Sequence, residues 1–85
     1  MIMRIGVMGI IIEKDRSVAE NVQQILSASS DIITARTGVP DREHNVYVIS
    51  LIVRGTNEQI SALAGKLGKL KNVKVKSAVA DVEVN

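Results

Sequence analysis

The residues most capable of chemistry sit together in one polar segment, Asp41, Arg42, Glu43 and His44. Imidazole nitrogen and carboxylate oxygen are both transition-metal donors, and such a site generally needs three or four of them. His44 is the one histidine of the chain, and there is no cysteine. A metal-sensing site would therefore use His44 with Asp41 or Glu43, with two copies of His44 brought together by symmetry in an oligomer. The simpler reading of the same residues is a solvated hairpin turn.

Other chemistry is sparse. There is no Ser-His-Asp set, no pair of carboxylates in an apolar context and no glycine-rich phosphate loop, so catalysis is not expected. The charged run Glu13, Lys14, Asp15, Arg16 shows no cradle. No disulfide or thiolate chemistry is available, and no cofactor is expected. Lys66, Lys69, Lys71, Lys74 and Lys76 crowd into eleven residues without an acid. They can meet phosphates, but lysines at a helix end and on an edge strand have structural reasons of their own. RNA-binding sheets stack bases on aromatics, and Tyr47 is the single aromatic here. Direct nucleic-acid binding is not expected. Ser61, Ala64, Gly65 and Gly68 make a small-residue stripe at helical spacing. Two glycines in one helix ask for a reason, such as close packing, a neighbouring subunit or a ligand.

The elements that must position these groups follow from periodicity. Val46 to Gly55 (VYVISLIVRG) is β-branched, closed by glycine, and apolar on both faces, with Tyr47, Ile49, Leu51 and Val53 on one and Val46, Val48 and Ile52 on the other. Residues 2–12 form a second strand apolar on both sides, with Met3, Ile5, Val7 and Ile11 opposite Ile2, Met8, Ile10 and Ile12, interrupted by Gly6 and Gly9. That apolar start is too short to span a bilayer, lacks a small-residue cleavage site and runs into charges, so no membrane association and a cytoplasmic location are expected. Ser17 with Glu20 predicts a capping box and a first helix carrying Val18, Val22, Ile25 and Leu26 on one stripe. Asp31 to Val39 reads as an edge strand with Ile33, Ala35 and Val39 on one face, and Gly38, Pro40, Asp41 and Asn45 as the turn that follows. Thr56 with Gln59 predicts a second capping box, with Ile60, Leu63, Leu67 and Leu70 inward and Asn72 as the stop. A last strand starts at Val73. Its apolar parity switches after Ser77 to Ala78, Ala80, Val82 and Val84, which predicts a bulge or bend.

The order β-α-β-β-α-β over a single domain, residues 1–85, predicts an α+β ferredoxin-like sandwich: a four-stranded antiparallel sheet, order 4-1-3-2, with two helices on one face. The first and third strands then lie at the centre, which agrees with their being apolar on both sides. Two helices cover one face only. The uncovered face would expose Val46, Val48 and Ile52 with one face of the first strand, a patch larger than monomers usually show. A chain of 85 residues, 46% apolar with one aromatic, builds a modest core. Both facts predict a homo-oligomer, a dimer or tetramer, in contact through sheet faces or sheet edges.

The run RTGVP (Arg36 to Pro40), then ISLIVRGTNEQISALAGKLGKL (Ile49 to Leu70) and VKVKS (Val73 to Ser77) resembles a family of small bacterial proteins provisionally named as regulators of the iron-only hydrogenase system. The family is ACT-like, and its fold is similar to the C-terminal domain of the nickel-responsive repressor. The resemblance implies an ACT-like domain that oligomerises, binds a small effector or a hydrogenase-system protein at subunit interfaces, and performs no catalysis. An effector is expected at an interface formed near Gly38 to His44, with Gly38, Pro40, Asp41 and Arg42 as candidates, or along the Gly65 and Gly68 stripe. The several histidines and the cysteine of the nickel-responsive domain have no counterpart here beyond His44. With no ribbon-helix-helix segment before the first strand, any regulation of transcription is expected to act through a partner or an unrecognised surface; a purely structural assembly factor without a ligand is the remaining alternative.

Overall fold

The computed structural model describes residues 2–13 and 15–83. Lys14 and Val84, both weighed in the sequence, lie outside the described residues. Strands β1 (Ile2–Glu13), β2 (Ile33–Asp41), β3 (Val46–Gly55) and β4 (Val73–Glu83) alternate with helices α1 (Arg16–Ala28) and α2 (Asn57–Gly68) in the predicted order. The sheet runs β2-β3-β1-β4 and every pair is antiparallel. The two strands apolar on both sides are the central pair, as the pattern required.

Alternation decides which side chains meet the helices. Ile49, Leu51 and Val53 of β3 are buried, and Tyr47 packs at their margin. Residues facing each other across an antiparallel pair share a face, so Met8, Ile10 and Ile12, paired with Leu51, Ile49 and Tyr47, are the β1 set that enters the core. Val18, Val22 and Leu26 of α1 and Ile60, Leu63 and Leu67 of α2 close it from above.

Four local features differ from the sequence reading. The cap of α1 is Asp15, whose carboxylate accepts the Val18 N–H at 3.2 Å; Ser17, expected as the cap, donates its hydroxyl to Asp15 at 2.7 Å. At α2 the capping box forms as expected, with Thr56 and Gln59 each accepting the other's backbone N–H. That helix ends at Gly68, and Asn72 lies four residues beyond it with φ 64, turning the chain into β4. The bulge expected after Ser77 is absent: β1 and β4 pair without a shift from Ile2↔Glu83 to Ile12↔Val73. The irregularity sits instead in β2, between Ile33 and Ala35. It separates two residues that simple alternation put on one face, leaving Ile33 against the core and Ala35 on the far side. Finally, β2 continues through Gly38, Pro40 and Asp41, so the turn contains only residues 42–45.

The face away from the helices is organised in rows across the strands. Ala78, Val7, Ile52 and Ala35 form one row, Lys76, Gly9, Ser50 and Thr37 the next, and Lys74, Ile11, Val48 and Val39 the third. Across β1, β3 and β2, two aliphatic ridges therefore flank a trench of small or hydroxylated residues, with Lys76 and Lys74 at the β4 margin. The parity switch in β4 has the same origin. Val73 and Val75 face the helices, whereas Ala78, Ala80 and Val82 face the other way, in a register that never breaks. The strand outruns the helices and changes which face is apolar.

Candidate functional site

Two residues separate the end of β1 at Glu13 from the start of α1 at Arg16, and Asp15 and Arg16 lie beside the β2–β3 hairpin. The Glu13 N–H donates to the Asn72 carbonyl at 2.8 Å and fixes this junction. Asp15 then caps α1. The Ser17 hydroxyl, followed by the Val18 N–H, holds its carboxyl below the usual 3.8. Asp15 is thus an anion at neutral pH with its charge turned to the helix N-terminus.

On the hairpin side, Asn45 adopts φ 57 to close the turn. The Asp41 carboxylate accepts the His44 N–H at 3.1 Å, an Asx-type turn. Between hairpin and junction lies a cleft of about 430 Å³ lined by Ile12, Ala19, Pro40 and Tyr47 on its apolar side and by Asp15, Arg16, Asp41 and Arg42 on its charged side. That volume is in the range of small-molecule sites. Two guanidinium groups beside two carboxylates and a phenol can recognise a small polar molecule carrying an acidic group, since Arg binds carboxylate or phosphate in a fork. Among the described residues that line the cleft, no nucleophile is hydrogen-bonded to a base.

Of the predicted ligand residues, Pro40, Asp41 and Arg42 line this cleft. Gly38 stands beside it, with the Tyr47 ring lying against its α-carbon. Gly65 and Gly68 are on α2, and a β-carbon added at either meets nothing within 4 Å. Close packing within this chain is therefore not the reason for those glycines. In the proposed metal set, His44 Nδ1 lies 3.0 Å from Asp41 Oδ2 on the exposed turn. Glu43 does not join them, and no group of three or more metal-ligating side chains exists among the described residues. Val46, Val48 and Ile52 stand on the open sheet face, Val48 and Ile52 exposed and Val46 half-buried.

The sequence reading missed Asp15, Arg16 and Tyr47 as cleft residues. The first two had looked like a charged connector, and Tyr47 like a core residue. Their signal was indirect: an N-cap acid next to an arginine, placed by topology against the hairpin.

Residues 4–77 match the TM1266-like family, which carries the provisional description of an iron-only hydrogenase system regulator. The chain belongs to this family. Among solved structures it is similar to the uncharacterised protein TM1266 from Thermotoga maritima, with 34% identity, a TM-score of 0.88, and coverage of 91% of this chain and 96% of that one. The ACT domain of a GTP pyrophosphokinase from Chlorobium tepidum superposes with a TM-score of 0.67 at 18% identity, covering 87% and 96% of the two chains. The apo form of CPII, a nitrogen regulatory PII-like protein from Thiomonas intermedia K12, gives 0.59 at 14% identity, covering 96% and 95%. These two establish an ACT-like fold. No curated protein matches in sequence. No helix among the described residues is long and apolar enough to cross a membrane.

Proposed function

We propose that this protein is a non-enzymatic regulatory module of the iron-only hydrogenase system, working as a homo-oligomer that binds a small effector or a protein partner at or beside a subunit interface. The observation that carries the reading is the cleft between the β1–α1 junction and the hairpin, where Arg16, Arg42 and Tyr47 converge in a family described as regulatory. The effector it suits is a small polar molecule with a carboxylate or phosphate group. Asp15 and Asp41 disfavour a ligand that carries only negative charge, and favour one that also offers a donor.

Thermal-shift screening against amino acids, nucleotides and divalent metals tests this. A ligand at about a hundred times its Kd stabilises the folded state by about 2.7 kcal/mol, which raises Tm by roughly 10–20 °C in a domain of this size. The shift is expected in the wild type and lost in Arg16→Ala and Arg42→Ala. A shift that survives both substitutions would move the site elsewhere. The absence of any shift, with hydrogenase maturation proteins captured from a cell extract by the wild type, would leave the protein-partner form of the reading.

A further inference from the structure

We infer that the open face of the sheet is a self-association surface, covered in solution by the same face of a second copy with the ridges of one seated in the trench of the other. Val7, Ile11, Val39, Val48, Ile52 and Val82 are each 38–55% exposed, and all lie on this face. They are six of the seven exposed large hydrophobic residues among those described; the seventh, Ile2, stands at the tip of β1 on the other side.

Shape selects the occupant. Rows two residues apart along a strand are separated by about 6.6 Å, whether they form a ridge or the trench. A copy displaced by one row therefore presents a ridge where the first has Gly9, Ser50 and Thr37. Charge points the same way. The centre of the face, on β1 and β3 between Val7 and Ile11, carries no ionisable side chain. Lys74 and Lys76 line one edge of the face, Asp41 and Glu13 stand at one end, and Arg54 stands toward the other, opposite Ile5. An apolar centre inside a rim of both signs is the anatomy of a protein interface that can meet itself.

Area agrees with a stable pair. Four strands about 4.8 Å apart and about ten residues long give a flat footprint of roughly 600 Å², and the ridged surface over it approaches the roughly 800 Å² per partner of a standard interface. Both sheet edges, the alternative contact, are blunted. On β2, Pro40 has no N–H and the bulge between Ile33 and Ala35 kinks the strand, while Lys74 and Lys76 project from β4. On the face those lysines reach only the β4 margin, and the centre on β1 and β3 is uncharged.

Self-association here rests on the oligomeric reading above, but mass measurements need no effector, so a failed ligand screen leaves it standing. The wild type should have at least dimer mass by light scattering at micromolar concentration. Val48→Glu with Ile52→Glu should shift it to monomer mass while the far-UV circular dichroism stays native, because both side chains are exposed. The absence of native cysteine allows a second, independent readout. A short bis-maleimide should join two copies of Ser50→Cys, in the trench, and should not join Ser61→Cys, on the exposed surface of α2. Monomer mass for the wild type overturns the inference, and so does unchanged mass in the double variant. Cross-linking at Ser61 in place of Ser50 overturns it as well, by putting the contact on the helices.

Discussion

The Tyr47 ring lies directly over the α-carbon of Gly38 on the neighbouring strand. A β-carbon at position 38 would fall against the phenol oxygen and 3.0 Å from Cζ. The backbone there is ordinary, since no glycine has a positive φ. Gly38 is thus a space requirement imposed by Tyr47, which in turn walls the cleft. Gly38→Ala should force the ring aside and cost about 1–3 kcal/mol, the usual range for overpacking. Tyr47 is the single aromatic residue, so near-ultraviolet circular dichroism reports on that ring alone. Its signal should change while the far-ultraviolet spectrum does not, and the urea midpoint should fall without a change in m-value. An unaltered near-ultraviolet spectrum would mean that the ring is not held there.

The two glycines of β1 should respond oppositely to alanine. At Gly6 a β-carbon would meet the Ala78 carbonyl oxygen at 2.6 Å and Val79 Cγ2 at 3.0 Å, and the first of these is backbone in a paired strand. At Gly9 the nearest atom is the Lys76 carbonyl oxygen at 3.9 Å, an ordinary contact. Gly6→Ala is expected to destabilise by about 2 kcal/mol or more, as β1 and β4 are wedged apart. Within the single chain, Gly9→Ala should be neutral or gain up to about 1 kcal/mol from the reduced freedom of the unfolded chain. Urea titrations of both variants at one protein concentration check the contrast; equal midpoints would refute it.

These glycines mark the limit of what was legible beforehand. The sheet order could be read because β1 and β3 are apolar on both sides, a property only central strands need. The same property hid which face of β1 meets the helices: Met8, Ile10 and Ile12 are no more apolar than Met3, Ile5, Val7 and Ile11, and pairing with Ile49 and Leu51 decides it. Asp15 and Ser17 both suit a helix cap. The short junction after Glu13 chose the first and left Ser17 as its hydrogen-bond donor. The bulge was misplaced because a parity change in β4 looks the same whether the strand kinks or simply extends past its cover. The cleft was invisible for a different reason. It joins residues 12–19 to residues 40–47, and no local pattern records that contact.

Asp15 makes acid stability testable. Its carboxyl titrates below the usual 3.8 when folded, first because of the Ser17 hydroxyl and then the Val18 N–H. The unfolded chain binds the proton more tightly, so the contribution of this group is complete above about pH 4, and it is lost as pH falls through the lower folded value. Asp15→Asn keeps an oxygen for the cap and removes the titration. Urea midpoints measured from about pH 7 down to about pH 3 should fall more steeply in the wild type than in Asp15→Asn, with the curves converging at the acid end. Parallel curves would show that the carboxylate is not preferentially stabilised in the fold.

Gly65 supplies the last test, because it is a helical glycine with nothing around it. A β-carbon there meets no atom within 4 Å, and the position lies in the last turn of α2, where its carbonyl accepts the N–H of the C-cap Lys69. Gly is worse than Ala by roughly 1 kcal/mol in a helix interior, so Gly65→Ala should raise stability by about 0.5–1 kcal/mol in urea titration. The isolated fold therefore gains from losing this glycine, and any reason to keep it lies outside the chain. Gly65→Gln, which puts a longer chain on the same surface, separates the possibilities. If α2 is bare in the working protein, the variant keeps wild-type mass and wild-type effector response. If the small-residue stripe receives a partner, the variant is as stable as wild type yet captures less of that partner from an extract. The second outcome would assign α2 to a partner protein and leave the open sheet face for self-association.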